Sequence, residues 1–164
     1  MFEKMKGLLG KEKENIIVKA PLHGTAVTAD QINDPAFAEQ ILGTTIGIKP
    51  VGERVVAPVN GVVDSIFETG HAVTMISDDG VQIIIHIGLD TVNLKGQFFT
   101  THVKAGDRIS TGDLMIEFDK NEIEKAGYDT TTAIIICNSA EFSQIDTVTG
   151  TDVLELDQIM ALKK

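Results

Sequence analysis

Residues 71–86 run His71-Ala-Val-Thr-Met-Ile-Ser77, then Asp78-Asp79-Gly80, then Val81-Gln-Ile-Ile-Ile-His86. Two short runs rich in Val, Ile and Thr around an Asp-Gly step predict a β-hairpin, because this dipeptide accepts the positive φ angles of a tight two-residue turn. If Asp79 and Gly80 form the loop, His71 faces Gly88 and His86 faces Val73, which leaves the two imidazoles diagonal on one face. If Asp78 and Asp79 form it, the two histidines stand opposite each other. Both registers bring the rings together, with Ile84, Val73 and Met75 beside them. A three-residue loop would send them to opposite faces.

Outward from the hairpin the same pattern continues. Residues 16–18, 62–67, 114–118 and 132–137 are further strand-like runs separated by Gly, Asp and Asn, whereas helical spacing is convincing only over 35–42 and 120–126, about two turns each. Ala20-Pro-Leu-His-Gly24 recurs as Ala57-Pro-Val-Asn-Gly61, each ahead of a strand-like run, as suits paired corners of a closed β structure. Gly106-Asp107 and Gly112-Asp113 mark two turns. The expected fold is all-β, a single-domain β-sandwich or barrel-like unit over residues 16–164 with short connecting helices. In residues 1–15, Phe2, Met5, Leu8 and Leu9 recur at helical spacing among Lys4, Lys6, Lys11 and Lys13. This segment reads first as a flexible tail and second as an amphipathic piece able to make weak contact with an anionic membrane. Met1 and the basic segment favour a free-standing chain over a piece of a larger transporter.

The 164 residues, 43% hydrophobic and 23% charged, suffice for one domain with a real core and are too few for two ordinary ones. Twenty-four acids against fourteen bases give a net charge of -10, which repels nucleic-acid phosphate and favours basic partners. The single cysteine, Cys137, excludes an internal disulfide and a cysteine-built zinc site. Beside the isoleucines at 134–136 it reads as a buried thiol, and the composition fits a cytoplasmic protein. No run approaches the roughly 18 apolar residues of a membrane span, and the first residues lack the apolar core of a secretory signal.

His86 interrupts an aliphatic strand and is followed by Gly88, whose missing side chain would open space beside the ring. A lone histidine there reads as a core residue satisfied by backbone; a second imidazole on the same face points to function, since two adjacent rings resist joint protonation and keep one neutral near pH 7. Three chemistries use such a pair. A zinc site needs three or four ligands, so His71 and His86 alone make at most an open site completed by a partner, with His23 and His102 in other segments. Acyl hydrolysis needs a serine or cysteine nucleophile, for which Ser77 and Cys137 are weak candidates. Phosphoryl transfer needs a neutral ring nitrogen and a donor for the phosphoryl oxygens, which the pair supplies; with no nucleotide-binding glycine loop, the phosphate must come from elsewhere.

Ala20-Pro-Leu-His-Gly24, Phe37-Ala-Glu39, Gly47-Ile-Lys-Pro50, Ala57-Pro-Val-Asn-Gly61, Ile66-Phe-Glu-Thr-Gly-His-Ala72, His86-Ile-Gly-Leu-Asp-Thr-Val92, Leu94-Lys-Gly96, Gly112-Asp113 and Ile116-Glu-Phe-Asp119 together resemble the enzyme IIA component of the sugar phosphotransferase system (PTS), glucose family. They span nearly the whole chain from Ile16 onward. The resemblance implies a barrel-sandwich hybrid and a phosphotransferase that works through a phosphohistidine intermediate, with no cofactor. In that reading His86 accepts the phosphoryl group on Nε2 from the phosphocarrier HPr and passes it to an enzyme IIB domain of a sugar permease (IIBC). His71 stabilises the transferring group, Thr69 orients the His71 ring, and the Gly88 backbone accepts from Nδ1 of His86. The resemblance also implies a docking rim of Phe37, Ile41, Leu42 and Met75 with acidic positions Asp34 and Asp90.

Two other readings accompany it. A regulatory module on the same fold would bind transporters or enzymes according to its phosphorylation state. The Ala-Pro-x-x-Gly and Gly-Asp turns also resemble biotinyl and lipoyl carrier domains, but the hairpin tip Ser77-Asp78-Asp79-Gly80 lacks the lysine that such a carrier modifies.

Overall fold

The computed structural model describes residues 15–164; the amphipathic reading and its membrane contact fall on residues 1–14 and lie outside the described residues. Among the described residues the chain forms β1 (Ile16–Lys19), β2 (Gly24–Thr28), β3 (Thr44–Pro50), β4 (Arg54–Val56), β5 (Gly61–Ile66), β6 (Ala72–Ser77), β7 (Gln82–His86), β8 (Phe99–Thr101), β9 (Arg108–Ile109), β10 (Leu114–Phe118), β11 (Thr132–Ile136), β12 (Gln144–Thr147), β13 (Thr151–Val153) and β14 (Gln158–Lys163). Two short helices, α1 (Pro35–Ala38) and α2 (Lys120–Lys125), connect strands. A large sheet runs β13-β2-β3-β11-β7-β6-β5-β9, and two three-stranded sheets run β1-β14-β12 and β4-β10-β8. The mostly β expectation with short helices holds.

All three sheets send side chains into one core, among them Val18, Leu162, Ile116, Met75, Ile85 and Ile134. The central strand β11 is buried at all five positions. Ile134 and Ile136 enter the main core, while Ala133 and Ile135 join Ile32, Phe37 and Leu89 in a smaller cluster on the other face of the sheet. A strand covered on both sides needs no polar alternation, which explains its continuous aliphatic run. Cys137, just past β11, is half-buried, and burial pushes its thiol pKa up.

The hairpin differs from both expected registers. Ala72 pairs with His86, Val73 with Ile85 and Met75 with Ile83, so the loop holds three residues, Asp78 to Gly80. Gly80 sits at φ 86 and donates its N–H to the Ser77 carbonyl at 2.9 Å. A three-residue loop ending on a left-handed glycine uses the same Asp-Gly signal as a two-residue turn, so the dipeptide alone does not fix the register. With this register Val73 and Met75 point into the main core. Met75, expected on the docking rim, is 1% exposed and offers no surface to a partner.

Helix α1 is one turn rather than two. Asp34 caps it by accepting the Ala36 N–H at 2.9 Å, and Pro35 starts it. Gln40 leaves the helix at φ 55 and turns its side-chain oxygen onto the Thr45 N–H at 3.0 Å. Ile41 and Leu42 therefore lie in a turn, 67% and 47% exposed. The sequence echo has a structural basis: a Cβ on Gly24 would stand 2.2 Å from the Lys49 carbonyl oxygen, and one on Gly61 2.1 Å from that of Ile76. Both glycines let a strand begin against its neighbour's backbone.

Candidate functional site

His86 ends β7 on the outer face of the large sheet, and its two cross-strand neighbours are both alanine, Ala72 on β6 and Ala133 on β11. These small side chains leave the imidazole room. Phe37, 7% exposed, stands with its ring centroid 5.0 Å from that of His86. The outer-face cluster thus supports the ring from behind.

His71 lies one residue before β6, outside the regular pleat, following Gly70 at φ 72. The three-residue loop therefore does not separate the rings, because face alternation governs residues within a ladder and His71 is past its end. The His71 and His86 centroids are 4.8 Å apart at an interplanar angle of 81°. Glycine is required at 70, since a Cβ there would come within 2.9 Å of Phe99 Cβ. Phe67, 47% exposed, meets the His71 ring edge-on at 5.2 Å.

Each ring is oriented by one hydrogen bond. Nδ1–H of His86 donates to the Gly88 carbonyl at 2.8 Å, so in the neutral ring the lone pair is on Nε2. The Thr69 hydroxyl lies 2.5 Å from Nδ1 of His71. With that hydroxyl donating, the proton of a neutral His71 resides on Nε2. Gly88 serves differently from expectation: at φ 77, its absent side chain makes room for the Thr91 methyl and the Asp129 carbonyl, 2.5 and 2.9 Å from where a Cβ would stand.

Burial is the larger cause that lowers the His71 pKa from 6.5 to about 4, with the neighbouring His86 second. Burial also lowers that of His86, opposed by the Gly88 carbonyl and by the charges of Asp34 and Asp90. Mutual repulsion thus contributes less than desolvation, and both rings are neutral at pH 7. The site presents one nucleophilic nitrogen, a second ring able to donate, and two carboxylates close enough to favour positive charge on the nucleophile.

Of the residues expected from sequence, the structure brings together His71, His86, Thr69, Gly88 and Phe37, with Asp34 and Asp90 in electrostatic reach of His86. It withdraws Met75. His102 is engaged elsewhere, its Nε2 2.7 Å from Glu117. Among the described residues, no group of three or more His, Cys, Asp or Glu side chains is placed to hold a metal ion. The hairpin tip carries Asp78, paired with Arg108 through two contacts of 2.6 Å. Sequence reasoning missed Phe67, which lies within a motif already singled out, and the flanking Ala72 and Ala133, visible only once the register is known.

A family model described as phosphoenolpyruvate-dependent sugar phosphotransferase system, EIIA 1, matches residues 16–142. The chain belongs to this EIIA family. It is 37% identical over 164 residues to the glucose-specific EIIA component of Haemophilus influenzae, covering 100% of this chain and 99% of that protein. It is 44% identical over 129 residues to the beta-glucoside-specific EIIBCA component of Dickeya chrysanthemi, covering 79% of this chain but 20% of that relative. The chain thus spans about a fifth of the length of the EIIBCA relatives it matches. The solved glucose permease IIA from Mycoplasma capricolum superposes with a TM-score of 0.82 at 33% identity, covering 91% of this chain and 96% of that one. Membership places the chain among the EIIA components of the phosphoenolpyruvate-dependent sugar phosphotransferase system. Among the described residues no helix is long and apolar enough to cross a membrane.

Proposed function

We propose that Nε2 of His86 accepts the phosphoryl group from phospho-HPr and delivers it to the EIIB domain of a sugar permease, in the cytoplasm. The observation that carries this reading is the 2.8 Å bond from Nδ1–H of His86 to the Gly88 carbonyl, which leaves Nε2 unprotonated beside a second imidazole. In the transfer, the Nε2 lone pair forms the new N–P bond as the donor's N–P bond breaks and its electron pair returns to the donor ring. His86 keeps its Nδ1 proton, so the loaded ring is cationic; the Gly88 carbonyl, Asp34 and Asp90 favour that charge. Nε2–H of His71 donates to a phosphoryl oxygen. Catalysis is then positioning plus electrostatics.

The docking surface is revised accordingly. Ile41 and Leu42 present exposed apolar side chains from the turn after α1, Phe67 adds an exposed aromatic beside His71, and Asp34 and Asp90 face a basic partner. Phe37 is buried and acts as the wall of the site. The test is a pair of variants assayed with HPr and an EIIB domain. His86→Ala is expected to accept no phosphate. His71→Gln is expected to accept it and pass it on slowly, because Gln keeps an N–H donor yet takes up no charge. Wild-type transfer by His71→Gln would reduce His71 to a structural residue.

A further inference from the structure

The carbonyl that fixes the His86 tautomer belongs to a backbone segment that is itself under constraint. Gly88 and Asp90 both adopt left-handed conformations, at φ 77 and φ 59, within three residues. Such a loop has alternative routes between β7 and the next element, and something must select this one. Thr91 closes it from within: fully buried, it donates its hydroxyl to the Ile87 carbonyl at 2.5 Å. Its methyl group occupies the space that a side chain on residue 88 would take. From the other side, the Asp129 carbonyl accepts the Leu89 N–H at 2.9 Å. The peptide between Ile87 and Gly88 is therefore held at its carbonyl by Thr91, one residue before the oxygen that accepts the hydrogen bond from His86 Nδ1–H.

We propose that Thr91 is a positioning residue for phosphoryl transfer: its hydroxyl holds the Ile87–Gly88 backbone so that the Gly88 carbonyl keeps the proton of His86 on Nδ1 and leaves Nε2 free. The proposal rests on the reading of His86 as acceptor. Removing the hydroxyl leaves the buried Ile87 carbonyl without this donor and lets the peptide rotate to find another. The next peptide shares the Gly88 Cα and is held only at its Leu89 N–H by Asp129, so this rotation tilts it and moves the Gly88 oxygen off the ring, and the tautomer preference goes with it. The hydroxyl, rather than the bulk of the side chain, carries the effect.

The test compares Thr91→Val, which keeps the shape without the hydroxyl, with Thr91→Ser, which keeps the hydroxyl without the methyl. Ring nitrogen shifts of unphosphorylated protein, read by NMR, report the His86 tautomer, and the rate of phosphate uptake from phospho-HPr reports function. Thr91→Val is expected to populate the Nε2–H tautomer and to accept phosphate about tenfold or more slowly, while Thr91→Ser keeps both near wild type. A wild-type tautomer in Thr91→Val, or a lost tautomer in folded Thr91→Ser, would overturn the proposal. His86→Ala serves as the separate control. Phosphate uptake by that variant would overturn the acceptor reading, whereas the tautomer measurement on unloaded protein still decides the role of Thr91.

Discussion

His71 carries a cost that its neighbourhood imposes. Its folded-state pKa near 4 lies below the ordinary 6.5, so between these values the unfolded chain binds more protons than the folded one. The stabilisation of the neutral ring is thus fully present above pH 6.5 and is lost as pH falls toward 4. At 1.36 kcal/mol per pKa unit, partly offset by solvent relaxation, this loss is of the order of 2 kcal/mol. Urea unfolding at pH 7 and pH 5 is expected to show a stability drop in wild type that is smaller in His71→Gln; an equal drop in both would show that the ring is not buried neutral. At Gly88, alanine would combine a strained left-handed φ with contacts to the Thr91 methyl and the Asp129 backbone. Gly88→Ala is expected to lose about 2–3 kcal/mol in the same assay, and a loss within experimental error would contradict the packing described.

At the scale of elements, sequence and structure part company where one local signal serves two geometries. His86 was legible because an imidazole is rare in an aliphatic strand, and the family motifs carried His71, Thr69, Gly88 and Asp90; the even turn expected to join the two rings does not occur, and they meet because His71 lies just before β6. The register was not, because a left-handed glycine closes two-residue and three-residue loops alike. The length of α1 was hidden too: apolar residues at 41 and 42 continue a helical spacing that Gln40 ends by backbone conformation and by its bond to Thr45. A third Asp-closed turn also escaped. Asp157 accepts the Leu154 N–H at 2.8 Å just as Asp113 accepts that of Ser110, but Leu156, at φ 71, stands where the earlier turns have glycine. Asp34→Asn keeps an oxygen for the Ala36 N–H and removes only the charge, so the helix should survive while the His86 pKa falls further. An unchanged His86 pKa in an NMR titration would show that Asp34 exerts no field at the site.

The whole molecule carries a net charge of -10, and Ile41, Leu42 and Phe67, the proposed apolar docking residues, are exposed. Long-range charge acts on encounter and short-range packing on residence, so acidic rim residues should govern the association rate with a basic partner. Joint replacement of Asp34 and Asp90 by Asn should lower the on-rate for HPr and flatten its dependence on ionic strength, as stopped-flow mixing at two salt concentrations would show. An unchanged salt slope would make both ordinary surface charges. Loading adds nearly two negative charges beside His71, whose neutral ring must then donate or become charged. All of this depends on which atom carries the phosphoryl group. The most direct measurement is nitrogen–phosphorus coupling by NMR on protein loaded with phosphoenolpyruvate, enzyme I and HPr. One phosphorus coupled to Nε2 of His86, with the proton retained on Nδ1, is expected; coupling to Nδ1, or phosphate on any other residue, would refute His86 Nε2 as the acceptor.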